Sequence, residues 1–190
     1  MRTQATLLVL AAAFSLLPAS ASGQVADDAI TQFETLEDAM AQPGLSRTQR
    51  FAAGDKWCHG PAYPGELTCS QQLAALAEGE LETTWDQSVL IADVADSYLR
   101  DECTREDSTT GCNIPALMDL LTLSQEAWRD YAAAQCEAEA HRGRGGWGGT
   151  ADRNFCSARL AAVRADEIED MMRFYRAQFG PELDLGEETQ

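Results

Sequence analysis

The chain has 190 residues, six cysteines and a formal net charge of −17, with 31 acidic against 14 basic side chains. That balance argues against nucleic acid and anionic membrane surfaces as partners and favours a cationic one. The length suits a single domain of ordinary size once any leader is removed.

The first residues read as a leader. Met1-Arg2 is a short basic start, Leu7 to Leu17 is apolar but too short to span a bilayer, and Ala19-Ser20-Ala21 is a small-residue cleavage site. Residues 1–21 are thus expected to be a signal peptide and the mature protein to be periplasmic or secreted, with no stable membrane insertion.

Residues 22–57 form an acidic helical extension without cysteine. Ile30, Phe33, Leu36 and Met40 recur at helical spacing behind Asp27 and Asp28, and Pro43-Gly44 breaks the pattern. Ser46 to Ala53 offers a further short helix. The sequence leaves open whether this part packs on the core.

The domain proper is expected over 58–180. From Glu66 one long stripe runs through Leu73, Ala77, Leu81, Trp85, Ala92, Ala95 and Leu99. The stretch 66–103 carries nine acids and one base, Arg100, so its outer face should be negative. Asn113 is placed to cap the next helix, with Pro115 in its first turn. There Leu117, Leu121, Ser124, Trp128, Tyr131, Gln135 and Ala138 make a narrow seam, with Trp128 and Tyr131 as expected core anchors.

The run Gly143–Gly149 (GRGGWGG) reads as a reversal, because it has too little side chain to hold a helix. Thr150 or Asp152 can cap the last helix, whose buried stripe is Leu160, Ala161, Ile168, Met172, Tyr175 and Phe179. Gly180-Pro181 stops it, and 181–190 is an acidic tail. No alternating strand pattern occurs. The expected fold is all-α: an antiparallel three-helix bundle with disulfide-stapled helical hairpins.

Six cysteines in a short exported chain read as three disulfides. Cys136 lies seven residues before Gly143 and Cys156 seven after Gly149, so antiparallel helices set them level across the hairpin. Cys103 and Cys112 flank a turn-type run, Asp107 to Gly111, and Cys58 and Cys69 bracket Pro61 and Pro64. A metal site is not expected, since there is no CxxC pair and His59 and His141 are far apart in sequence.

Signals for catalysis are poor. No GxSxG, HExxH or phosphate-loop sequence is present, and neither histidine has a nucleophile in a recognisable frame. No catalytic residue and no cofactor are therefore assigned, and the chain is not read as an enzyme.

Trp128-Arg129-Asp130-Tyr131 with Cys136 eight residues after the tryptophan, then glycines, then Cys156 with Arg164 eight later, resembles the LprI-type lysozyme inhibitor family of exported bacterial proteins. Cys58, Glu66-Leu67-Thr68-Cys69, Leu73-Ala74-Ala75-Leu76 and Leu81 extend the resemblance over about residues 58–175. Ala132-Ala133 stand where the family has an Arg-Asp pair, and the Cys103–Cys112 hairpin is an addition. The resemblance implies a protein that binds and inhibits lysozyme-type peptidoglycan hydrolases. The alternative is a general cell-envelope interaction or scaffold module without inhibitory activity.

The expected partner is a cationic protein, with a lysozyme as the candidate. Lysozymes are often basic around an acidic cleft, and an acidic bundle would be steered toward them. Arg142, Arg144 and Trp147 on the glycine hairpin are the expected partner-binding residues, because arginine pairs with carboxylates and Trp and Arg dominate interface hot spots. The oligomeric state is not fixed by the sequence.

Overall fold

The computed structural model describes residues 33–60, 65–105, 112–143 and 146–179. Among these residues five helices are packed together: α1 (Leu36–Met40), α2 (Arg47–Cys58), α3 (Glu66–Cys103), α4 (Leu117–Ala140) and α5 (Trp147–Phe179). A single 3-10 turn, His141–Gly143, joins the end of α4 to the hairpin. No strand occurs among the described residues. The signal peptide and the acidic tail expected from the sequence lie outside them.

The three long helices run up, down and up in chain order. α3 and α5 are therefore parallel, and side-chain contacts confirm the register: Asn154 Nδ2 donates to Ser70 Oγ, Ser157 Oγ donates to Glu78 Oε1, and Tyr98 packs on Phe179. Their interface is the most extensive in the molecule. It is rich in small buried residues: Ala158, Ala161 and Ala165 of α5 lie toward the Ala77 end of α3, and Ala92 and Ala95 lie further along α3. Short side chains let two backbones approach closely. Leu73, Ile91, Ile168 and Met172 are the bulky, fully buried side chains on these two helices.

α4 packs chiefly on α5. Cys136 and Cys156 join them with 5.4 Å between Cα atoms. Cys58–Cys69 and Cys103–Cys112 close the other two corners, each with 5.6 Å between Cα atoms. All six cysteines are paired as the hairpin geometry suggested.

The seam of α4 differs from the sequence expectation. Leu117, Leu121, Gln125, Cys136 and Ala140 are buried, and Ala132 and Trp128 are half-buried between them. Beyond Leu121 the buried stripe is thus shifted by one residue from Ser124, Tyr131, Gln135 and Ala138. Tyr131 is 54% exposed and anchors no core. The reason is Arg164 on α5. It is buried, and its guanidinium donates to Gln125 Oε1 at 3.0 Å and to Ser124 Oγ at 2.8 Å. The hydrogen bond from Arg164 to its carbonyl turns Gln125 inward, where periodicity of apolar residues alone would turn it out.

The capping of α4 also differs. Its N-cap is Ala116, without a side-chain cap of its own, and Asn113 is exposed in the preceding turn. The cap comes from α3: the carboxylate of buried Asp96 accepts the N–H groups of Leu117 at 2.7 Å and Met118 at 3.0 Å. This satisfies donors that every helix N-terminus leaves open, with charge of the favoured sign.

α5 begins at Trp147, so Gly148, Gly149, Thr150 and Asp152 lie inside it and Thr150 and Asp152 are not caps. Two of the hairpin glycines serve close approach. A Cβ on Gly149 would sit 2.8 Å from Ala140 O, and a Cβ on Gly143 would collide with the Gly149 backbone. Gly44 is the one glycine with a positive φ among the described residues.

Residues 33–58 pack on the bundle. Leu36, Met40, Phe51 and Trp57 join the same core as Leu73, and Trp57 Nε1 donates to Phe33 O. α2 opens with a capping box between Ser46 and Gln49. Its first residue, Arg47, bridges Glu80 on α3 to Asp166 and Glu169 on α5. Thr48 adds two bonds to Asp166, and Arg50 a second to Glu80.

Candidate functional site

The hairpin presents the residues chosen from sequence. Arg142 is exposed in the 3-10 turn, and Trp147 is 81% exposed at the first position of α5. The indole does not fold back onto the bundle. Arg144 lies outside the described residues. Below the tip, Glu137 accepts a fork of two bonds from Arg153, at 2.8 and 3.0 Å. The Arg153 guanidinium holds the Glu137 carboxyl below its ordinary value. Glu139, bonded by Gln135 and then by Arg159, is lowered in the same way. The hairpin therefore rises from ion pairs that stay charged into mildly acidic solution.

A second feature was not found from sequence. α3 and α4 meet near Asp96 and Leu117 and then diverge, leaving a cleft of about 560 Å³ floored by α5. Leu81, Trp85 and Trp128 give it apolar walls. Glu78, Glu82 and Asp86 follow one another at four-residue spacing along the α3 side, which sets them on one face of that helix. Arg129 and the Glu137–Arg153 pair stand on the α4 and α5 sides. Ala132 and Ala133 have side chains too short to close the gap. Both tryptophans were read as members of helical stripes, which they are. The available signal was the charge beside each, Asp86 after Trp85 and Arg129 after Trp128, which places each ring at the boundary of a buried face.

A third cluster joins α2 to α3. His59 Nδ1 lies 2.9 Å from Asp55 O, and its Nε2 lies 3.3 Å from Glu66 Oε1. The ring packs on Phe155, with centroids 4.5 Å apart. The same Nδ1 lies 3.2 Å from Asp55 Oδ1, which has no other partner among the described residues. Burial pushes the Asp55 carboxyl above its ordinary value, opposed by the charges of His59 and Arg159. The cluster sits against the Cys58–Cys69 disulfide and offers no nucleophile.

Compared with protein-family models, with curated proteins and with solved structures, the chain gives no match. Function is therefore argued from the geometry. No described helix is long and apolar enough to cross a membrane. Three disulfides fit an oxidising compartment.

Proposed function

We propose that this is an exported acidic helical protein that binds and inhibits a lysozyme-type peptidoglycan hydrolase, presenting its glycine hairpin to the enzyme. The observation that carries this reading is the exposure of Trp147 at the end of a disulfide-closed hairpin, beside exposed Arg142. An exposed indole on a braced support loses little conformational freedom on binding, which favours affinity. Arg142 can pair with carboxylates in an acidic cleft. The surrounding net charge of −17 accelerates encounter with a basic enzyme. The resemblance of residues 58–175 to the LprI-type lysozyme inhibitors supports the same reading.

A turbidity assay of cell-wall lysis tests it. Oxidised protein should slow lysis by a basic lysozyme, with reduced protein weaker. Undiminished lysis at a large excess of oxidised protein would leave the alternative, an envelope interaction module that does not inhibit.

A further inference from the structure

We propose that the α3–α4 cleft is a second binding site, and that it takes a basic segment of a protein partner: one arginine or lysine side chain with its flanking peptide groups. The volume, about 560 Å³, falls within the roughly 300–1,000 Å³ usual for sites that enclose a ligand.

Three observations fix the chemistry. First, Glu82 and Asp86 stand one turn apart on the α3 wall, both exposed, and neither has a partner among the described residues. Glu78 beside them is engaged by Ser157, and Glu137 by Arg153. The Ser157 hydroxyl leaves the charge of Glu78 uncompensated, so the unpaired negative charge of the cleft lies along the α3 wall at Glu78, Glu82 and Asp86, with Glu82 and Asp86 free to hold a guanidinium or ammonium.

Second, Trp85 and Trp128 line the same space and are only half-buried. Their faces attract a cation and pack its aliphatic stem. A carboxylate pair with no aromatic wall would suit a hydrated metal ion as well as an organic cation. The tryptophans select the organic one.

Third, Gln125 is 3% exposed and lines the cleft. Its Oε1 is occupied by Arg164, while its Nε2 has no acceptor among the described residues. A donor lining the same cleft as a carboxylate pair does not serve a free cation. It serves a ligand that carries carbonyl oxygens next to its positive charge, as a peptide does. Arg129, on the opposite wall and likewise without a recorded partner among the described residues, is a second donor for such carbonyls. It also repels a second cation, so the cleft takes one basic side chain, directed toward α3.

This inference does not depend on lysozyme inhibition. Its test is a titration of the full oxidised chain, followed by the indole N–H resonances of its four tryptophans. The probes are acetyl-Ala-Arg-Ala-amide, the same peptide with citrulline in place of arginine, and acetyl-Ala-Glu-Ala-amide. The arginine peptide should shift the Trp85 and Trp128 signals saturably at millimolar concentration and leave Trp147 unmoved. The citrulline and glutamate peptides should bind at least about tenfold more weakly, as expected for losing a charge-assisted contact. The double variant Glu82→Gln, Asp86→Asn should lose arginine-peptide binding by a similar factor. Both positions are exposed, so its unfolding midpoint should match the parent. Equal binding of the citrulline peptide, unchanged affinity in the double variant, or shifts confined to Trp147 would each overturn the assignment. A failed lysis assay would not.

Discussion

Asp96 on α3 caps α4 through two hydrogen bonds, to the N–H groups of Leu117 and Met118. One long helix thereby sets where the next begins, at the point from which the two diverge around the cleft. Asp96→Ala would leave those donors without an acceptor in a buried place, at a cost of about 1–3 kcal/mol. Asp96→Asn keeps one acceptor and should lose less. Urea unfolding of the oxidised variants measures both, and equal losses would show that the charge and not the hydrogen bonds matters.

The hairpin glycines are separable. Gly149→Ala forces a Cβ to within 2.8 Å of Ala140 O and should destabilise by about 1–3 kcal/mol. Gly148→Ala meets nothing within 4 Å and lies in the same helix, so it should stabilise by up to about 1 kcal/mol. The pair of melting temperatures should move in opposite directions.

Replacing Cys136 and Cys156 together by serine releases a loop spanning 20 residues. In the chain-entropy model that costs about 3 kcal/mol. The small cluster of Cys136, Cys156 and Leu160 that the bond pins together should loosen first. Amide exchange should then rise around the hairpin before it rises along the α3–α5 interface.

Asp55 gives a signed pH dependence. Its pKa in the fold is raised, chiefly by burial, above the ordinary 3.8. A carboxyl of this kind contributes stability that is fully present below the unfolded value and is lost as pH rises through the folded one. Asp55→Asn should therefore stabilise the protein at neutral pH, and the gain should shrink as the solution is acidified through the raised pKa. Thermal unfolding of both proteins across that range checks it. A gain independent of pH would remove the carboxyl as its cause.

Trp147→Ala and Arg142→Ala should each weaken inhibition of lysis about tenfold, the scale of an interface hot spot. Neither should change the unfolding midpoint, since both side chains are exposed. Arg144→Ala is expected to act alike. Full inhibition by all three variants would retire the hairpin as the contact. Inhibition should also weaken as ionic strength rises past about 0.15 M, where screening shortens the reach of the field.

The helices and disulfides were legible because each has a local cause. The α3 and α5 stripes repeat at helical spacing over many turns, and short loops bring neighbouring cysteines together. The seam of α4 slipped at Gln125 because its inward turn is caused by Arg164, 39 residues away, which no window of apolar periodicity contains. Asn113 was a sound local cap, displaced by Asp96 from another helix. The cleft was hidden for a related reason. Trp85 and Trp128 do lie on buried stripes, but whether two such stripes touch depends on how α4 is tilted from α3, and alanines at 132 and 133 leave the space between them open. The reversal lies where the sequence puts it, but Gly148 and Gly149 belong to the helix they were expected to exclude, and Gly143 and Gly149 are there to make room.

Arg47 stands between three carboxylates, Glu80 on one long helix and Asp166 and Glu169 on its neighbour. Trimming the protein to its cysteine-bearing portion would look harmless on paper, since all the cross-links survive. It would in fact leave those like charges facing one another with nothing between them and strip the cover from Leu73. A shortened version should be a less soluble reagent than the parent despite carrying fewer apolar residues.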